Sequence, residues 1–312
     1  DRLAESNEGR SAFWYSDAAR TALAHGEYRA AGQFFLIAAQ RAPTPAESRR
    51  YFVDAMLALQ SGNLVREALV EAEEILIRHP SLGESPQVLE LLVRFARAVR
   101  RPDLADKYAR KLLRLSLQLQ WQREQLAQTY GIRRMQVNES GGPKLPFDDR
   151  IYTLGFEAFL DNRKLEDAWQ VAAAAVRQAP ENLAWRERRA RVSEWTGRPS
   201  IALTHWLHVA RTSGSDEAWQ AVLRLAPGLF DDEALRPALE YQLRRQPTNE
   251  ALIGELIATY ERLGNPKGAM ALLEQIHAQR RQPELLTRMA ELAERMGDDD
   301  KAIALWQRFM AG

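Results

Sequence analysis

Residues 251–278 read ALIGELIATYERLGNPKGAMALLEQIHA. Ile253, Leu256, Ile257 and Tyr260 recur at spacings of three and four, and Ala269, Leu273 and Ile276 do the same. Each set forms one apolar stripe along a helix. Gly264-Asn265-Pro266 separates the two stripes. Glycine takes the left-handed conformation that ends a helix, and proline suits the opening turn of the next one. The stretch therefore predicts two helices joined by a tight turn. Ala269 is small because helices packed side by side approach to about 8–10 Å, and a large side chain there would push them apart.

The same small position returns along the chain. Ala31, Ala68, Ala105, Ala168, Ala202, Leu235 (beside Ala234), Ala269 and Ala302 stand 37, 37, 63, 34, 33, 34 and 33 residues apart. Each opens an apolar helical run, such as Ala68, Ala72 and Ile75 or Ala302, Trp306 and Phe309. Gly26, Gly197 and Gly297 stand where Gly264 stands, Gly62 precedes Ala68 with one or two extra residues in the turn, and the third unit carries Arg100-Arg101-Pro102 instead. A stride of about 34 residues is the signature of tetratricopeptide repeats. The chain resembles that family closely in the second helix of each unit and loosely in the first. The resemblance implies an all-α superhelix of eight to nine helix–turn–helix repeats over residues 1–312, each burying its apolar face against its neighbours.

The gap of 63 residues breaks the phase by about one repeat. Residues 117–136 predict a helix, with Leu119, Leu126 and Tyr130 on one face, and Asn138 to Pro146 predicts a loop. Segment 117–148 is either a decayed repeat with an insertion or a boundary between two solenoid blocks. Insertions in solenoids often emerge on the binding face, which makes 138–148 a candidate contact loop.

Composition narrows the function classes. The chain has 43 basic and 42 acidic residues, a net charge of +1, and no cysteine. That balance gives no general field to attract nucleic acid or anionic membrane. The lack of cysteine removes zinc fingers, disulfide scaffolds and thiol catalysis. The longest apolar run, Phe34–Ala39, is far short of the roughly 20 residues a membrane helix needs. With no initiator Met and no signal peptide, and with Trp306 and Phe309 on an uncapped last helix, the chain is expected to be part of a longer protein.

No motif predicts catalysis, a cofactor or a metal. Gly264 to Gly268 lacks the ending of a phosphate-binding loop and occupies a repeat turn. His205 and His208 share a helix face, but no carboxylate lies one turn away. Asp298-Asp299-Asp300 precedes Ala302, where capping a helix start accounts for it. Chemistry is expected instead on the first helices, whose inward positions are predicted to form a concave binding face. In the C-terminal half these are Glu187, Arg191, Glu194, Glu261, Glu284, Glu291 and Glu294, an acidic strip; in the N-terminal half Arg20, Arg94 and Arg97 lean basic.

Three strings narrow the resemblance: Leu165 to Trp169, Leu183 to Arg188, and Glu194 to Pro199. They are similar to the periplasmic repeat arrays of bacterial exopolysaccharide export porins of the Pel type. That resemblance implies a periplasmic scaffold of an outer-membrane-associated protein, with a membrane anchor and a β-barrel outside these residues. It also implies two partners: a polymer-modifying enzyme of the deacetylase or hydrolase kind, and a cationic, partly deacetylated amino-sugar polymer. Cellulose and alginate export scaffolds share this architecture. The alternative is a cytosolic receptor of the co-chaperone or regulator type, in which Arg94 and Arg97 would clamp a peptide carboxylate.

Overall fold

In the computed structural model the described residues are 2–129, 148–280 and 283–311, and every regular element among them is helical. Sixteen α-helices fall into eight consecutive pairs, as the tetratricopeptide-type reading expects. They are α1 (Arg2–Ala24) with α2 (Tyr28–Gln40), α3 (Pro45–Ser61) with α4 (Val65–Arg78), and α5 (Pro86–Ala98) with α6 (Pro102–Thr129). There follow α7 (Asp149–Asp161) with α8 (Leu165–Gln178), and α9 (Leu183–Trp195) with α10 (Pro199–Ser213). The last three pairs are α11 (Asp216–Leu225) with α12 (Asp232–Arg245), α13 (Glu250–Arg262) with α14 (Pro266–Arg280), and α15 (Pro283–Met296) with α16 (Asp299–Ala311). The chain divides into two compact units, Asp1–Trp185 and Arg186–Gly312, the division falling within α9.

One backbone device makes every turn inside a pair. Gly26, Asn63, Arg100, Arg163, Gly197, Phe230, Gly264 and Gly297 all have positive φ, from 54° to 75°. Each stands five residues before its small position. In all eight, the next residue donates its N–H to the carbonyl five residues back, at 2.8–3.1 Å, as Asn265 does to Tyr260 at 2.8 Å. This closure satisfies a carbonyl that the end of a helix would leave without a partner. Gly62, expected as the turn residue of the second pair, has φ of −83° instead, and Asn63 takes the left-handed place. Gly62 is small for another reason: a Cβ there would stand 2.6 Å from the Tyr28 Cβ. In the third pair Arg100 fills the place of the missing glycine.

The small positions are buried as expected, Ala31, Ala68, Ala168, Ala202 and Ala269 having no exposed surface. In the first unit Phe52, Leu89, Leu92, Phe95 and Leu112 form the interior. Trp185 is fully buried there, edge-on to Tyr152 and Phe156 at 6.3 and 5.7 Å between ring centroids. Its indole N–H donates to Asp149 at 2.6 Å. In the second unit one continuous core runs from Ala190 to Leu305 and includes Trp206, Leu235, Ile253, Leu256, Leu273 and Met289. Each large aliphatic buried this way stabilises the fold by roughly 1.5–3 kcal/mol before entropy is counted.

The break in phase has a simple form. α6 runs without interruption for 28 residues, so 117–129 prolongs the second helix of the third pair. α7 packs against both α6 and α5, the place of the next first helix. That packing is close: a Cβ on Gly155 of α7 would stand 2.8 Å from the side chain of Leu113 in α6. No helix stands between α6 and α7 among the described residues. The expected contact loop lies outside them, apart from Asp148, whose side chain accepts the Ile151 N–H and caps α7.

Candidate functional site: the face of the first helices

Three residues before each left-handed turn residue lies one equivalent position, occupied by Arg97, Glu194, Glu261 and Glu294 in four of the pairs. Three of the four reach across to the following first helix. Arg97 of α5 donates from Nη1 to Glu157 and from Nε to Asp161 of α7, both at 2.6 Å. Glu194 of α9 accepts Arg224 Nη1 of α11 at 2.6 Å. Glu261 of α13 accepts Arg295 Nη2 of α15 at 2.9 Å. At this position neighbouring first helices are thus cross-linked in register, with the cation leading at Arg97 and the carboxylate leading at Glu194 and Glu261.

Arg94, Glu187 and Arg191 are equally engaged. Arg94 donates to Glu90 at 2.6 Å, and Glu90, which is buried, also accepts Arg150 at 2.8 Å. Arg191 Nη2 lies 2.6 Å from Glu187 and 2.9 Å from Glu217, with the guanidinium 5.9 Å from the Trp206 ring centroid. Glu187, Glu194 and Glu261 therefore each stand beside an arginine, and the strip expected to be acidic is of mixed charge over these positions. On α15, Glu284, Glu291 and Glu294 are exposed and make no ion pair among the described residues. Glu294 accepts the indole N–H of Trp306 at 2.8 Å.

Electrostatics follow from these contacts. Burial pushes the Glu194 carboxyl up, but the hydrogen bonds from Arg224 and Trp206 and the charge of Arg224 outweigh it and hold the group below its usual value. Burial likewise pulls the Arg97 guanidinium down, and Asp161 and Glu157 overcome it. His205 is different. Its imidazole is buried, and burial, Arg189, Arg186 and His208 together push it down to about 4.

Helices α9, α10 and α11 line an open cleft of about 560 Å³. Trp206 lies at its floor and Trp195 at its edge, with Arg191, Glu217, Gln220 and Arg224 around them. Sequence reasoning placed Arg191 and Glu194 here and missed Glu217, Gln220 and Arg224, which belong to the next pair. A repeat-register alignment of the first helices would have brought Arg224 into line with Arg191. Elsewhere the motifs weighed in the sequence are structural. Asn265 accepts the Gly268 N–H at 3.0 Å within the turn, and Asp298 accepts the Lys301 N–H at 3.2 Å at the start of α16. Among the described residues no three metal-binding side chains converge.

No protein-family model and no curated protein matches the chain. Solved structures similar to it include the thermophilic TPR protein TTC0263 of Thermus thermophilus, with 24% identity over 50% of this chain and 87% of that one, at a TM-score of 0.24. PilF of Pseudomonas aeruginosa shares 14% identity over 83% of this chain and 98% of its own, at 0.37. The structure of Naa15/Naa10 bound to HypK-THB shares 11% over 85% and 36%, at 0.43. The tetratricopeptide-type fold rests on the eight helix pairs themselves.

Proposed function

We propose that the chain is a non-catalytic, periplasmic scaffold of a bacterial exopolysaccharide export complex of the Pel type. In this reading it recruits a polymer-modifying enzyme, a deacetylase or hydrolase, and passes the polymer toward an outer-membrane porin. The observation that carries the scaffold reading is the register of charged side chains on successive first helices, Arg97 to Glu157, Glu194 to Arg224 and Glu261 to Arg295. Within each unit such links join neighbouring first helices side by side and leave their shared face open, which suits a protein partner. The export assignment is supported by the three strings at 165–169, 183–188 and 194–199. The peptide-receptor alternative is weakened because Arg94 and Arg97, its carboxylate clamp, already hold Glu90, Glu157 and Asp161. A pull-down of periplasmic proteins with the chain, followed by export assays after removal of single helix pairs, tests the proposal. A retained polymer-modifying enzyme and lost export are expected; neither result, or a protein confined to the cytosol, ends it.

A further inference from the structure

We infer that the cleft lined by α9, α10 and α11 is a saccharide subsite, which seats a neutral pyranose ring on the indole of Trp195. The inference rests on the polysaccharide-export reading for its biological setting, but its argument comes from the cleft. Trp195 is the last residue of α9 and leaves 55% of its surface exposed, two residues before the turn at Gly197. A pyranose ring has an apolar C–H face and a polar edge, and a flat indole bordered by polar groups complements both at once.

The charges around the indole decide the class of ligand. Arg191 is shared by Glu187 and Glu217, and Arg224 is held by Glu194. An anionic peptide terminus would find no unpaired arginine here, and a cationic sugar no unpaired carboxylate. Hydroxyl and amide groups need less. A guanidinium has five N–H donors, and the bond from Arg224 to Glu194 leaves others to spare. Gln220 donates its amide N–H to Gln242 at 3.2 Å, which leaves the amide oxygen to accept from a hydroxyl. Paired ions of this kind offer both donors and acceptors while presenting little net charge. The volume, about 560 Å³, lies within the range of small-molecule sites.

The test is a titration of the whole chain with a tetramer of N-acetylglucosamine, followed through the indole N–H resonances. A saturable shift at Trp195 in the millimolar range is expected, indifferent to added salt because no net charge is involved. Trp195→Ala should weaken it by about tenfold or more, and Trp195→Tyr should stay within roughly threefold. Far-UV circular dichroism should be unchanged for both, since the side chain is exposed. Absence of a shift, equal binding by Trp195→Ala, or a larger shift with short acidic or basic peptides overturns the inference. So does binding confined to the deacetylated tetramer and abolished by salt, which would place the contact on glutamates. Pull-down with Trp195→Ala separates this from the scaffold reading. A wild-type chain that retains the enzyme but binds no sugar ends the subsite alone, whereas sugar binding without any retained enzyme ends the scaffold reading alone.

Discussion

Trp206 donates its indole N–H to Glu194 at 2.6 Å, from one helix of the pair to the other. The same bond recurs one hundred residues later, from Trp306 to Glu294 at 2.8 Å, again between residues twelve apart. Three repeats separate the two, so one position in the repeat has the same task twice. The settings differ: Trp206 is buried and Glu194 also holds Arg224, while Trp306 is half-buried and Glu294 exposed. Removing a donor from a buried partner costs more than removing it from a wet one. Trp206→Phe should therefore lower stability by about 1–2 kcal/mol, and Trp306→Phe by less than about 1, in urea unfolding. Equal losses would mean that the hydrogen bond is not what the two tryptophans contribute.

Phe230 is 93% exposed and has φ of 54°, a left-handed conformation that costs a side-chain-bearing residue roughly 1–2 kcal/mol. At the equivalent turn, four of the other pairs use glycine. Since Phe230 has almost no packing to lose, Phe230→Gly should raise stability by about 0.5–1 kcal/mol, the relief of strain exceeding the extra freedom of the unfolded chain. The converse change, Gly264→Ala at φ of 66°, should destabilise by about 1 kcal/mol. Thermal unfolding of the two variants checks both signs, and a destabilised Phe230→Gly would give the aromatic ring a structural task that its exposure does not reveal.

His205 sets an acid limit on the second unit. Its folded value is pushed down to about 4 from an ordinary 6.5, first by burial and then by Arg189, Arg186 and His208. A lowered histidine favours the unfolded state once protons become abundant, because the unfolded chain takes one up first. Its stabilisation is complete above 6.5 and is lost as pH falls from 6.5 toward about 4, by roughly 2–3 kcal/mol. The carboxylates Glu194 and Asp232 of the same unit also have lowered values, so their losses begin below 4.5 and 3.8 and leave the upper part of the window to histidine. His205→Leu should flatten the stability profile between 6.5 and 5, measured by urea midpoints; an unchanged slope would shift the cause elsewhere.

The stride of the small residue was legible in the sequence because Ala202 and Ala269 are small for a reason that repeats, the close approach of two helices. The turns were legible only in part. Gly197, Gly264 and Gly297 announce a left-handed residue, whereas Arg100, Arg163 and Phe230 adopt it under the pull of the helices on either side, and nothing in their chemistry signals it. The ion-pair ladder was hidden for another reason. Glu194 and Arg224 meet through the stacking of successive first helices, and periodicity within one repeat says nothing about the partner supplied by the next. The cleft beside Trp195 shares that origin, since its walls come from two pairs.

Glu284 and Glu291 lie seven residues apart on α15, both exposed, and no arginine holds them among the described residues. They are the members of the sequence-predicted strip, with Glu294, that keep an unpaired carboxylate. A polymer bearing free amines would be drawn to this stretch by charge rather than seated by shape. Exposed ion pairs contribute only about 0–1 kcal/mol each and weaken as salt screens them, so contacts should be loose and rapidly exchanged. Titration with a deacetylated glucosamine tetramer at low salt should shift the α15 resonances weakly, and raising ionic strength should abolish the effect. The double variant Glu284→Gln with Glu291→Gln should lose most of this binding while keeping its helix content, and it should leave any shift of Trp195 by the acetylated tetramer untouched. Binding that survives both the double variant and high salt would leave these glutamates as ordinary solvated surface.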